Sequence, residues 1–172
     1  MKLITKMITI AGLAAALVSC SDNDVKTAQN EDFKYLVDEF ADLKIMRYQV
    51  PGWDELSLQQ KKYVYHLAEA AKHGRDIIWM QNCKYNLDIR RVVENILENY
   101  TGDRTCQEWA QFEEYAKRLF FSNGIHHHYA EDKFFPECPQ EYFQSLMAAV
   151  GDDTKCEELL PVIYDPAIFP AR

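Results

Sequence analysis

Glycine is scarce in this sequence, six among 172 residues, and none of the six builds a G-x-S-x-G, a Walker loop or a G-x-G-x-x-G. A nucleophile elbow and the two phosphate-cradling loops need glycine where the backbone turns sharply or approaches a ligand closely, so these motifs give no entry to function. The zinc signatures are missing as well. No two cysteines lie in a C-x-x-C, and neither His66 nor His73 is followed by a residue that completes an H-E-x-x-H. Those two histidines stand two helical turns apart and read as surface or packing residues. Positive charge is the third deficit: 19 Lys and Arg face 27 Asp and Glu, for a formal charge of −8. An acidic chain has no electrostatic reason to seek a phosphate backbone, which argues against nucleic acid as a partner. The apolar run from Met7 to Val18 is also shorter than the roughly 20 residues that span a bilayer core.

That short run is informative in its setting. Lys2 and Lys6 precede or open it, and Leu17-Val18-Ser19-Cys20 follows, the order of basic region, apolar region and small-residue cleavage site found in signal segments. The four residues resemble the bacterial lipobox, in which cleavage precedes a cysteine whose thiol carries diacylglycerol. Residues 1–19 are therefore expected to be a removable signal peptide, with the mature chain held to a lipid membrane through acylated Cys20. Residues 20–32 are polar and lack the apolar groups that would offset their ordering entropy, so they are expected to form a flexible acidic tether. An acidic stretch at this place resembles the surface-export tether of Bacteroidetes lipoproteins. The expected location is the bacterial cell envelope, lipid-anchored at the outer membrane and facing either the periplasm or the surface. Loss of Lys2 and Lys6 moves the charge from −8 to about −10.

The remaining chain from residue 33 to 172 is long enough for one domain with a sizeable core. Leu43 to Val50 alternates and stops at Pro51-Gly52, which predicts a strand that needs a partner for its edge groups. Helical patterning follows. Ser57 and Gln60 form a capping box ahead of Leu58, Tyr65, Leu67, Ala68 and Ala71, and Gly74 ends that helix or joins it to a segment from Asp76 to Cys83. Asn86 is expected to cap a helix with Ile89, Val92, Val93, Ile96, Leu97 and Tyr100 on one face. Thr105 and Glu108 predict a second capping box before Trp109, Phe112, Ala116, Leu119 and Phe120. Pro139 opens a helix closed by Gly151, and a last helix from about Asp153 to Tyr164 is expected to bend or stop early at Pro161. The expected class is mainly α with a minor β component. Cys83, Cys106, Cys138 and Cys156 are expected to be buried small hydrophobes or to form one or two bridges.

The most unusual segment is Asn123-Gly124-Ile125-His126-His127-His128-Tyr129. Asn-Gly signals a turn, so the histidines fall just after a helix in a loop or a short extended stretch. If extended, His126 and His128 share a face and can approach one cation, with Glu131 or Asp132 nearby. The spacing does not reproduce a helical ligand pair, so hydrogen bonding to the loop backbone or lining a cleft is the favoured reading.

Several segments together resemble the N-terminal part of bacterial dipeptidyl peptidase III proteins. They are Phe40-Ala41-Asp42-Leu43, Met46 to Gly52, Leu56 to Lys62, Gly74 to Asn82, Asn123 to Tyr129 and Leu159 to Pro166. The likeness runs from about residue 33 to the last residue, and the Asn-Gly-Ile-His-His-His-Tyr run is its most specific element. The resemblance implies a two-lobed zinc exopeptidase that releases dipeptides from peptide N-termini, with a helical zinc-bearing lobe and a lobe holding a mixed β-core. In that family zinc is held by the histidines of H-E-x-x-G-H and a further glutamate, while the glutamate of that motif activates water. The motif does not occur here. The chain is therefore expected to hold no zinc by itself, to be catalytically incomplete, and to accept peptide substrate only when completed. The resemblance implies that Asn123, His126, His128 and Tyr129 lie near the inter-lobe cleft and position substrate. The competing expectation is a small helical lipoprotein that binds a peptide or partner.

Overall fold

The computed structural model describes residues 33–172; the signal segment, Cys20 and the tether lie outside them. The architecture is mainly helical with one small antiparallel hairpin. Strand β1 (Leu36–Phe40) pairs with β2 (Leu43–Met46), joining Leu36 to Met46 and Phe40 to Leu43. The partner that the alternating segment requires is thus the stretch immediately before it. The strand ends at Met46 rather than at Val50, although Arg47 extends the pairing by donating its amide to the Tyr35 carbonyl at 2.9 Å. Ala41 turns the hairpin in the left-handed region at φ 50°.

Six α-helices follow: α1 (Leu58–Lys72), α2 (Arg75–Asn82), α3 (Asn86–Asn99), α4 (Gln107–Ser122), α5 (Gln140–Ala149) and α6 (Cys156–Tyr164). The Ser57–Gln60 capping box of α1 forms as expected, satisfying two otherwise orphaned amides. The other expected start signals resolve differently. Asn86 is the first residue of α3, not its cap, and its side chain is fully buried. Thr105 does not cap α4 either. Its amide and hydroxyl both donate to Asp103 Oδ1 at 2.7 Å, a local turn that leaves Cys106 as the N-cap. Pro161 does not end α6, which continues to Tyr164. Its place in the sixth position of the helix removes one hydrogen bond, and the neighbouring Leu159, Leu160, Val162 and Ile163 are all buried.

The core is built by α3 to α6, with Trp79 of α2 added at its edge. The stripe of α3, Ile89, Val92, Val93 and Ile96, is at most 1% exposed. It meets Phe112, Tyr115 and Leu119 of α4 and Phe143, Leu146 and Met147 of α5 in one cluster. Phe112 and Phe143 lock edge to face at 5.2 Å, and Phe143 repeats this geometry with Tyr164 of α6 at 6.2 Å. Asn95 of α3 adds a polar tie, donating to Asp152 Oδ2 at 2.7 Å and to the Val150 carbonyl at 3.3 Å. Cys83, Cys106, Cys138 and Cys156 are free thiols, three of them buried, so the first alternative for the cysteines is the one realised.

Helix α1 stands apart from this core. None of its residues is buried, and Leu58, Tyr63, Val64, Tyr65 and Leu67 are each 41% exposed or more. Unlike the stripes of α3 to α6, that of α1 contributes no side chain to the hydrophobic cluster of the described residues. Among the described residues no helix is long and apolar enough to cross a membrane.

This division predicts unequal mutational costs. Ile96→Ala should cost about 2–5 kcal/mol by opening a cavity, whereas Leu67→Ala should stay within about 0.5 kcal/mol. Urea denaturation of both variants checks the contrast, and similar losses would contradict it.

Candidate functional site

The loop from Asn123 to Lys133 is fixed first by the end of α4. Asn123 adopts the left-handed conformation at φ 54°, ψ 41°, and its amide and that of Gly124 both turn back to the Leu119 carbonyl. Gly124 then takes φ 151°, and a Cβ added there would collide with the Asn86 amide group. Glycine is required at this point because Asn86 occupies the space. Its Nδ2 donates to the Trp79 carbonyl at 3.1 Å while its Oδ1 accepts from the Ile125 amide at 3.3 Å. One buried side chain thereby joins α2, α3 and the loop.

Beyond Ile125 the loop doubles back on itself. His126 and Lys133 form an isolated antiparallel bridge, and the His127 amide donates to the Asp132 carbonyl at 2.7 Å. His127 Nδ1 accepts from the amides of Tyr129 and Ala130 at 3.2 and 3.0 Å, so this imidazole caps the turn. The C-terminal strap, residues 165–172, lies across the other side. Lys133 Nζ donates to the carbonyls of Asp165 and Ile168 at 2.6 and 2.9 Å, and the Lys133 amide donates to the Pro170 carbonyl. His126 Nε2 meets the Phe169 carbonyl at 2.9 Å, and Arg172 reaches both Asn82 Oδ1 and the Glu131 carboxylate. Glu131 and Phe169 both hold positive φ, 65° and 50°, where loop and strap cross.

The electrostatics follow from burial. Lys133 is 7% exposed, and desolvation pushes its ammonium below the ordinary lysine range against the pull of Asp165. His128 is half-buried, and desolvation together with neighbouring His127 lowers its pKa, while Asp42 pulls the other way. Asp42 reaches this neighbourhood because Arg118 of α4 holds it at 2.9 Å. His128 packs its edge on Phe121 at 4.8 Å and lies 4.4 Å from His127 and 4.5 Å from Tyr129, ring centre to ring centre.

The sequence-expected site residues therefore divide into separate roles. Asn123 caps α4 and lines a groove of ≈ 290 Å³ with Arg75, Trp79, Arg90 and Glu94. His126 is buried against the strap, His128 sits in an aromatic cluster, and Tyr129 projects into solvent at 85% exposure. The loop brings His128 and Tyr129 together, but His126 faces a different surface. Among the described residues no group of three or more His, Cys, Asp or Glu side chains is placed to hold a metal ion. His126 Nε2 and His127 Nδ1 are bonded to backbone groups, while the Nδ1 atoms of His126 and His128 are buried without a protein partner. Residues that pattern reading missed are Asn86, Lys133 and the strap carbonyls. Asn86 was hidden by its resemblance to a cap, and a lysine before Phe134-Phe135 carries no signal that it turns inward.

Comparison of the sequence with protein-family models and with curated proteins finds no match.

A pH dependence follows from His128. Its folded pKa lies below the ordinary value of 6.5, so the unfolded chain binds the proton first as pH falls. The stability it contributes is present above 6.5 and is lost as pH drops through the folded value. His128→Gln should flatten the acid limb of a thermal-stability profile between neutral pH and that window. An equally steep limb in the variant would contradict the assignment.

Proposed function

We propose that this chain is the N-terminal portion of a lipid-anchored zinc exopeptidase of the dipeptidyl peptidase III kind, and that by itself it does not hydrolyse peptides. The observation that carries the reading is the apolar surface of α1 and α2. Val64, Leu67, Ile77, Ile78 and Met80 are between 41% and 59% exposed on consecutive helices, beside Tyr63 and Tyr65. Exposed apolar surface of this kind supports a face that a protein partner, a further part of the protein, a ligand or a membrane covers. The segments from Phe40 to Leu43, Gly74 to Asn82 and Asn123 to Tyr129 supply the kinship, and the missing H-E-x-x-G-H supplies the expectation of inactivity. In this reading residues 33–172 are scaffold. The His127–Tyr129 ring cluster contributes a surface for peptide, and acylated Cys20 holds the assembly at the envelope. No catalytic step is assigned to these residues.

The test is an assay of dipeptidyl-arylamide cleavage by the purified chain with added zinc. The expected result is no release of arylamine above buffer; clear turnover would remove the proposal.

A further inference from the structure

The groove between α2, α3 and the end of α4 carries polar groups that the fold leaves uncommitted. Arg75, Trp79, Arg90, Glu94, Phe120 and Asn123 line its ≈ 290 Å³. Trp79 is 1% exposed, and its indole Nε1 is buried without a hydrogen-bond partner among the described residues. An indole N–H only donates, and a buried donor left without an acceptor is destabilising. Phe120 meets the same ring edge to face at 6.1 Å, so the wall beside that donor is aromatic.

Net charge selects no ligand here, because Arg75 and Arg90 are balanced by Asp76 and Glu94. Pairing does select one. Arg90 is held between Glu94 at 2.7 Å and Asp76 at 2.8 Å, and its guanidinium lies over the Trp79 ring at 5.4 Å. Lys72, shortly before, is likewise closed by Glu69 at 2.6 Å. No hydrogen bond or ion pair among the described residues engages the side chain of Arg75, or that of Asn123, whose contacts are made by its backbone. The groove thus offers a planar guanidinium, an indole N–H and a side-chain amide, and its complement is a hydrogen-bond acceptor.

We infer that this groove binds the carboxylate of a small aromatic acid, with Arg75 and the Trp79 indole N–H as donors and the acid's ring against Phe120. A guanidinium takes a carboxylate through two parallel bonds. An aromatic body suits walls made by Trp79 and Phe120, and the volume suits a small ligand. Asn123 supplies a third donor through its amide. The carboxylate comes from a free aryl acid or from the C-terminus of a peptide that ends in an aromatic residue. No catalytic step enters this inference, so it is independent of the peptidase reading.

The indole N–H resonances of Trp53, Trp79 and Trp109 in the isotope-labelled full chain report the contact directly. Titration with benzoate should move the Trp79 signal downfield to saturation and leave those of Trp53 and Trp109 in place. Arg75→Ala should weaken benzoate binding by about tenfold or more, as loss of a charged hydrogen bond does. Asn123→Asp, which sets a carboxylate at the groove, should weaken it severalfold, with circular dichroism verifying the helical content of each variant. Benzamide, alike in shape and uncharged, should bind at least about tenfold more weakly than benzoate. N-acetyl-phenylalanine, titrated in parallel, ranks a peptide C-terminus against a free aryl acid, and tighter binding of either supports the site. A Trp79 signal that saturates with neither acid, equal binding of benzoate and benzamide, or unchanged affinity in Arg75→Ala would overturn the inference. Arylamide turnover by the chain alone would remove the peptidase reading and leave this binding result standing.

Discussion

Burial of the α3 stripe is the constraint on which the rest of the structure depends. Ile89, Val92, Val93 and Ile96 are the only α3 side chains shared with the hydrophobic cluster as fully buried groups, and α4, α5 and α6 all contribute to that same cluster. Four such side chains are worth about 1.5–3 kcal/mol each in removal from water, more than any surface ion pair in the molecule contributes. Directly before the stripe, Asn86 carries the order of the core outwards. Its amide group has no water to fall back on, so its bonds to Trp79 and Ile125 fix where α2 leaves the core and where the histidine loop begins.

From that fixed point the loop and strap form a polar unit whose partners are mostly backbone carbonyls. A lysine ammonium and an imidazole nitrogen, both on buried residues, hold residues 165–172 in place. Two short hydrogen bonds offset part of the cost of desolvating Lys133, since charged donors make stronger bonds than neutral ones. The result is a rigid inner side and an aromatic outer side of one loop. His127 serves as a cap, which leaves Tyr129 as the ring presented outward, with His128 half-buried among Phe121, His127 and Tyr129.

Much of the helical framework was legible in the sequence because amphipathic period and burial agree there. Most of the α3 and α4 stripes are buried as their spacing predicts, with Leu97, Tyr100 and Phe120 only half-buried, and the Ser57–Gln60 box forms as written. Local signals misled where tertiary demand exceeded them. Asn86 is a good cap in isolation, yet two buried backbone groups claim its amide. Thr105 prefers the nearer Asp103 carboxylate to the helix amide. Proline at 161 is tolerated because the surrounding burial of α6 outweighs one lost bond. The first strand was illegible because Leu-Val-Asp-Glu-Phe alternates poorly, and its pairing includes an irregularity at Val37. At the candidate site the sequence located the loop but not the strap, since contacts separated by more than thirty residues leave no local pattern.

The contrast between a self-sufficient core and an uncovered first helix is the claim that joins fold to function. Native-state hydrogen exchange of the isolated chain, read residue by residue, addresses it directly. Amides of Val92, Val93, Ile96, Ala116 and Leu119 should exchange only through global unfolding, while those from Lys62 to Ala71 should exchange through local opening at far lower protection. Equal protection of α1 and α3 would show that α1 is already covered and would contradict the account.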